Sequence, residues 1–286
     1  MYHIIANPNA GSGKSLHYGK ILNQKIPNSI LHTTTKPKDA IAIAQSIPTA
    51  LGIIGIGGDG TIQEVVEGIK PNIPLGIFPG GSGNDFARAL EGGKKIKPAD
   101  FLDVFAARVV AGKTRTVDLI SANGQKYLVA ANMGIDASIV RNAIEYKPKF
   151  GGNAYLVAAY KSIMQHTNIS MEIFADGERV QQDCTLVAIC NNSTYGGGLA
   201  IAPMARFDDG MITLCIVNGM SRAKLGMLFP SILVKKHTKL KDIRFINCKE
   251  VVIKLDKTTL CLDGNLQPVE GQVHFKVIPQ ALEIFV

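Results

Sequence analysis

Two acidic residues set in glycine turns, Asp59 and Asp85, are where this sequence can do chemistry. Asp59 lies in the tract 55–61, Gly-Ile-Gly-Gly-Asp-Gly-Thr. The apolar run of Leu51, Ile53, Ile54 and Ile56 precedes it, and Thr61, Ile62, Val65, Val66 and Ile69 follow at helical spacing. An interior strand that turns through glycine into a helix gathers backbone N–H groups and the positive end of the helix dipole at one point, where an anion can bind. A carboxylate beside phosphates repels them unless a cation intervenes, which gives Asp59 a role through Mg²⁺. Asp is also a common helix N-cap, and both roles can hold.

The tract has two companions. Residues 2–6 read as an interior strand ending in Asn7-Pro8-Asn9-Ala10-Gly11-Ser12-Gly13-Lys14. Residues 75–78 read as another, ending in Pro79-Gly80-Gly81-Ser82-Gly83-Asn84-Asp85 before the helical Phe86, Ala87 and Leu90. One glycine cluster alone is better read as a tight turn. Three at strand ends, which an open parallel sheet aligns along one edge, form a phosphate-binding site for a nucleotide. Asp85, in the first turn of its helix, shares the ambiguity of Asp59 and takes a supporting role.

The elements that position these loops follow from the hydrophobic period. Up to about residue 112, strands at 2–6, 29–33, 51–56 and 75–78 alternate with helices near 14–25, 37–46, 61–69, 84–91 and 101–110. Such alternation predicts an α/β domain over 1–112 with a doubly wound, mostly parallel sheet. Beyond Gly112-Lys113 the period changes to strands at 114–120, 127–132, 169–175, 184–191, 211–217, 251–255, 259–262 and 273–277. Asn123-Gly124, Asp176-Gly177 and Asp263-Gly264 are hairpin signals. The expectation is a mostly antiparallel, β-rich second domain over 113–278, interrupted by helices near 154–166 and 223–236.

Composition bounds the rest. With 46% hydrophobic and 19% charged residues, 286 residues suffice for two folded domains. No apolar stretch is long enough to span a bilayer and no signal-like segment opens the chain, so the expected compartment is the cytoplasm. The five cysteines, an odd number without a Cys-x-x-Cys pair, suit buried thiols. None of the six histidines makes a metal pattern. A net charge of +8 favours an anionic partner. Lys235, Lys236, Lys239, Lys241 and Arg244 follow the apolar run 225–234, a pairing that suits an anionic lipid headgroup layer and equally a packed helix with a solvated basic turn. No nucleic-acid partner is expected, since the basic run has no interleaved aromatics and no reader motif. A homodimer is compatible with the sequence and not required by it.

The three glycine tracts, in this order and spacing, resemble the nucleotide-loop motifs of the bacterial diacylglycerol kinases and YegS-like lipid kinases. Gly-Gly-Asp-Gly by itself is shared with NAD kinases and phosphofructokinases; Gly-Ser-Gly-Asn-Asp-Phe-Ala at 81–87 separates them. The resemblance continues through Asn132-Met133-Gly134-Ile135-Asp136, Gly196-Gly197-Gly198 and 202–210. It implies an NAD kinase/phosphofructokinase-like first domain, a lipid-substrate second domain, and a C-terminal tail, 279–286, that returns to the first. It also implies phosphoryl transfer from ATP with Mg²⁺ to a lipid hydroxyl at a membrane surface.

The ATP site so implied comprises Asn7, Pro8, Asn9, Ala10, Gly11, Thr34, Gly57, Gly58, Asp59, Gly60, Thr61, Glu64, Gly81, Ser82, Asn84 and Asp85. Asp209, with the carbonyls of Arg206 and Met211, would hold a second, structural Mg²⁺. The family's acid–base turn is Asp-Gly-Glu. Here Asp263 and Gly264 match, and Asn265 replaces the Glu. An amide cannot take up a proton at neutral pH. Either Asp263 is the base with Asp59 supporting through metal, or the chain has lost turnover and is a nucleotide- or lipid-binding regulator. An NAD-kinase-like or sugar-phosphate kinase is the enzymatic alternative.

Overall fold

A computed structural model describes residues 1–151 and 154–286. The first four strands are β1 (Tyr2–Ala6), β2 (Ser29–Thr33), β3 (Gly52–Gly57) and β4 (Leu75–Pro79), with helices α1 (Lys14–Lys25), α2 (Asp39–Ser46), α3 (Asp59–Gly68), α4 (Asp85–Leu90) and α5 (Pro98–Ala111). They pair in parallel in the spatial order β4, β3, β1, β2. Alternation along β1 and β3 sorts the side chains. Ile4, Ala6, Ile54 and Ile56 pack with Leu22 of α1 and Phe105 of α5 on one face, while Ile5 and Ile53 pack with Ala40 of α2 and Val65 of α3 on the other. Both faces are covered, so strand residues of either parity are apolar. Leu51, expected in the strand, is 57% exposed and lies outside it.

The remaining strands are β5 (Thr114–Ala122), β6 (Gln125–Tyr127), β7 (Ala130–Gly134), β8 (Ile169–Ala175), β9 (Glu178–Cys190), β10 (Ile212–Asn218), β11 (Ile243–Cys248), β12 (Glu250–Leu262) and β13 (Asn265–Phe285). Among them every pairing is antiparallel. Three helices accompany them: α6 (Ile135–Phe150), α7 (Ala154–Gln165) and α8 (Arg222–Leu233).

The sequence suggested two sheets. The structure shows one mixed hydrogen-bonded network of 13 strands, in which antiparallel neighbours predominate and the parallel pairs are confined to β1–β4 and one contact of β13. The link is β13, which runs antiparallel to β12 and β5 and ends with Ile284 opposite Leu75 of β4. Phe285 then enters the core beside Ile54 and Phe78. The sequence divided β13 into a strand at 273–277 and a separate tail because exposed polar residues interrupt its pattern.

Alternation also sorts the second half. Val187 and Ile189 of β9 enter an all-strand core with Met133, Leu214, Ile253 and Phe275. Leu186 and Ala188 face Ile139 of α6, Ala158 of α7 and Leu225 of α8. Helix α6 escaped sequence reading, although Ile135, Ile139 and Ala143, all buried, recur at a spacing of four.

Candidate active site

The three glycine loops pack on one another backbone to backbone. A Cβ at Gly11, whose φ is +60°, would overlap the carbonyl oxygen of Gly80, and one at Gly81 would overlap the Cα of Gly58. Glycine is required at these contacts because no side chain fits between the loops. Polar ties complete the junction. Ser15 Oγ donates to the carbonyl of Gly80 at 3.0 Å, Asn7 Nδ2 to Thr61 Oγ1 at 3.0 Å, and the Asn9 N–H to Asn7 Oδ1 at 2.9 Å. Asn84, in the left-handed region at φ 53°, closes the third loop by receiving the Gly81 N–H at 2.8 Å and donating to the Gly81 carbonyl at 2.9 Å.

Gly60 differs from these. It stands in the first turn of α3, and a Cβ there would meet nothing within 4 Å. Its bareness serves no contact within the protein and leaves open space at a helix N-terminus, as a phosphate requires. Arg88, Lys95, Ser82 and Asn84 line a depression at the third loop. Lys95 and Arg88 were not singled out from the sequence, because nothing in the spacing ties them to the glycine motif.

The other residues expected at the nucleotide site divide in two. Thr34 is buried at the end of β2, its N–H bonded to the Ala6 carbonyl at 3.0 Å, which places it beside the first loop. Pro8, Ala10 and Gly57 shape the loops. Glu64 is turned to a structural task, its carboxylate accepting the N–H groups of Lys38 at 3.0 Å and Ala40 at 3.3 Å at the start of α2.

Two carboxylates meet at the edge of the loops. Asp59 Oδ1 receives the Asp85 N–H at 2.7 Å, and both oxygens of Asp85 receive the Gly197 N–H at 3.0 and 3.1 Å. Asp85 thereby ties the third loop to the Gly196-Gly197-Gly198 stretch of the second half. Arg88 donates to the Gly83 carbonyl at 3.0 Å within the third loop, and its guanidinium lies against Gly198. Removal from water, and then the charge of Asp85, push Asp59 up to about 6. Burial raises Asp85 as well, opposed by the Gly197 N–H and Arg88.

Asp263 opens a two-residue turn with Gly264, both at positive φ, between β12 and β13. Its Oδ2 receives the Leu128 N–H at 2.8 Å, and its Oδ1 those of Val129 and Ala130 at 3.0 and 2.9 Å. Three such bonds favour the ionised form, yet desolvation outweighs them and the carboxyl is pushed up to about 7, with Asp59 adding to the rise. Asn265 is exposed at the start of β13, and among the described residues its side chain has no hydrogen-bond partner.

The 206–211 turn has an anchor that the sequence did not reveal. Asp118 of β5, 1% exposed, receives the Gly210 N–H at 2.7 Å and the Gln280 N–H at 2.8 Å, and its own N–H donates to the Phe207 carbonyl at 2.7 Å. Asp209 receives the Met211 N–H at 3.0 Å and is raised by burial, with Asp118 adding to the effect. Among the described residues no three His, Cys, Asp or Glu side chains converge as a metal cage. Mg²⁺ bound through one or two carboxylates and substrate phosphates needs no such cage.

Behind the carboxylates lies a narrow apolar cavity of about 60 Å³. It is lined by α6, α7, α8 and the inner faces of β9 and β10, including Ile139, Leu186, Val217, Leu225 and Leu228. Its polar members include Asp136, in the first turn of α6, and Tyr195, whose hydroxyl donates to Asp136. Tyr195 lies two residues before Gly197, so one short loop touches both the carboxylate cluster and the cavity. The five cysteines are buried and unpaired.

The arrangement is an NAD-kinase-like fold. The likeness extends to the structure of an NAD kinase from Archaeoglobus fulgidus in complex with ATP, with a TM-score of 0.57 at 12% identity over 100% of this chain and 94% of that one. A diacylglycerol kinase structure from Bacillus anthracis str. Sterne superposes with a TM-score of 0.79 at 22% identity, covering 99% of this chain and 96% of that one. The diacylglycerol kinase catalytic domain model matches residues 1–122, and the YegS C-terminal NAD kinase beta sandwich-like domain model matches residues 129–286. Among curated relatives, the diacylglycerol kinase of Bacillus subtilis (strain 168) is 31% identical over 276 residues, 91% of this chain and 88% of that protein. That of Mycobacterium tuberculosis (strain ATCC 25618 / H37Rv) is 31% identical over 236 residues, 80% of this chain and 74% of that protein. The chain belongs to the diacylglycerol kinase family.

Proposed function

We propose that the protein is a lipid kinase that transfers the γ-phosphoryl group of ATP, with Mg²⁺, to the hydroxyl of a lipid such as diacylglycerol. The observation that carries this reading is the adjacency of two unlike sites. Glycine loops with open space at a helix N-terminus meet, through Asp59, Asp85 and the 195–198 loop, a cavity whose apolar lining matches the apolar part of a lipid. Family membership supports the same reaction class.

Phosphoryl transfer requires a held donor, offset charge and an in-line acceptor oxygen. The three loops hold the phosphates, and Asp59 with Asp85 would hold Mg²⁺, which when bound neutralises charge on the transferring group. Asp263 is the base. After three N–H bonds its carboxylate retains lone-pair capacity for the proton of the acceptor hydroxyl, and a pKa pushed to about 7 suits transfer near neutrality. The hydroxyl oxygen bonds to the γ-phosphorus, the bond to ADP breaks, and the proton passes to Asp263. Asn265 only flanks the turn.

In the same reading Asp209 and the carbonyls of Arg206 and Met211 hold a second, structural Mg²⁺. The division near residue 112 separates nucleotide-binding from lipid-substrate domains, and the protein works at an anionic membrane surface. Among the described residues no helix is long and apolar enough to cross a membrane.

The regulator without turnover is favoured by one observation, the engagement of Asp263 by three backbone N–H groups, which would suit a purely structural residue. Incubation of the protein with ATP, Mg²⁺ and detergent-dispersed lipid extract, followed by mass spectrometry of the phosphorylated species, separates the two. A phosphorylated lipid supports the kinase; ATP binding without product supports the regulator. Phosphorylation of NAD or a sugar phosphate instead would move the enzyme to another class.

A further inference from the structure

The helices over the cavity expose apolar side chains on their outer faces. On α7 Leu156 is 65% exposed, Tyr160 69% and Met164 52%, while Met227 of α8 is 73% exposed and Val234, just after it, 61%. Burying such side chains is favourable, so leaving several together in water is a cost a lone monomer rarely bears.

Charge singles out the same surface. Residues 141–165 and 222–241 contain ten Lys and Arg against one Glu, whereas the rest of the chain has twenty-one Lys and Arg against twenty-two Asp and Glu. The whole positive excess of the protein thus resides on the segments that carry the exposed apolar residues. Exposed apolar side chains on segments rich in Lys and Arg, of which among the described residues Lys224 alone pairs with an acidic residue, Asp242, match an anionic bilayer, whose headgroups attract the bases while its acyl region accepts the rest.

Between α7 and α8 runs an open groove lined by Leu156, Tyr160, Met164, Gly226 and Pro230. Ile163 and Phe229 line this groove and also the cavity beneath it, so these two side chains form the partition between them. Pro230 lies inside α8 and cannot donate to the carbonyl of Gly226, which weakens the helix where it borders the groove.

We propose that α7 and α8 form the face on which the protein rests on an anionic bilayer, and that the acceptor lipid passes between them, past Ile163 and Phe229, into the cavity. This rests on the lipid-kinase reading and adds the surface and the route.

The chain has no tryptophan, so Tyr160→Trp supplies a single fluorophore at the ridge, and Val104→Trp, at the likewise exposed Val104 of α5, a control. With vesicles of phosphatidylglycerol and phosphatidylcholine carrying diacylglycerol, the Tyr160→Trp emission shifts to the blue and is quenched by lipids brominated in the acyl chain. That of Val104→Trp does neither. In Met227→Asp the rate on such vesicles, divided by the rate on detergent-dispersed diacylglycerol, falls by about fivefold to tenfold, the effect of one added negative charge at the surface. A Cβ at Gly226 meets nothing within 4 Å and Gly226 lines the groove, so Gly226→Phe directs a ring toward that groove and should raise KM for long-chain more than for short-chain diacylglycerol.

Equal quenching of the two fluorophores, or none, overturns the docking face. An unchanged chain-length preference in Gly226→Phe overturns the route. If wild-type protein phosphorylates dispersed lipid while either result is obtained, the kinase reading stands without this inference. If it phosphorylates no lipid in any form, both fall.

Discussion

The proposed nucleotide edge and the proposed lipid side of this protein are built on opposite terms. At the first the structure is a matter of backbone: glycines allow three loops to touch, and N–H groups and a helix terminus face open space. At the second it is a matter of side chains drawn from α6, α7, α8, β9 and β10, any one of which another apolar residue of similar volume could replace. Backbone sites tolerate almost no substitution and are therefore written in short motifs. Side-chain cavities tolerate many, and they discriminate weakly between lipids.

Substitution should divide the two regions most sharply at the glycines. Gly81→Ala places a methyl group against the Cα of Gly58 and should abolish ATP binding and lower the melting temperature. Gly60→Ala meets no protein atom and should weaken ATP binding with the melting temperature unchanged. Calorimetric titration and thermal unfolding of both variants test this, and equal loss of stability in the two would erase the distinction. Gly58→Val, at 3.4 Å from the Gly81 Cα and in extended backbone, should bind ATP poorly while still folding.

The junction between the regions comes next. Asp263→Asn should lower lipid turnover by about 10²–10⁴-fold while ATP still binds. Asn265→Glu should change the rate only modestly, since Asn265 faces solvent. An active wild type indifferent to Asp263→Asn would move the base elsewhere. A silent wild type rescued by Asn265→Glu would make the regulator the right description.

The carboxylate cluster also predicts a pH dependence of stability. Asp59 and Asp263 are raised from 3.8 to about 6 and about 7, so the folded state binds more protons than the unfolded one between these values. Their favourable contribution is complete below 3.8 and lost as pH rises through about 6 and 7. Melting temperature should therefore fall over that interval in Asp263-containing protein, fall less in Asp263→Asn, and recover at pH 7.5 on adding Mg²⁺. A flat profile would mean that the cluster is not raised.

The smallest effect belongs to the surface charges. Reversing two of Lys235, Lys236, Lys239 and Lys241 should weaken binding to anionic vesicles by about 1 kcal/mol per charge removed, and salt should act likewise on the wild type. Sedimentation indifferent to both would leave the segment a solvated turn.

The sequence by itself determined the strand–glycine–helix units, the alternation that covers β1–β4 on both faces, and the presence of Asp59, Asp85 and Asp263. Each of these is a local pattern of period, turn chemistry or motif. What only the tertiary structure decided is which of them meet. Asp85 finds Gly197 112 positions away, Asp263 finds the N–H groups at 128–130, and Asp118 holds the 206–211 turn. β13 runs on until it joins the first sheet. Glu64 carries a motif position yet serves α2, where its carboxylate accepts backbone N–H groups that the helix start leaves without intrahelical partners. The cavity leaves no motif at all, since its lining is apolar residues that read in sequence as core. Long-range pairing and burial are properties of the folded chain, and they decide which carboxylates lose their water, and so which of them can work near neutral pH.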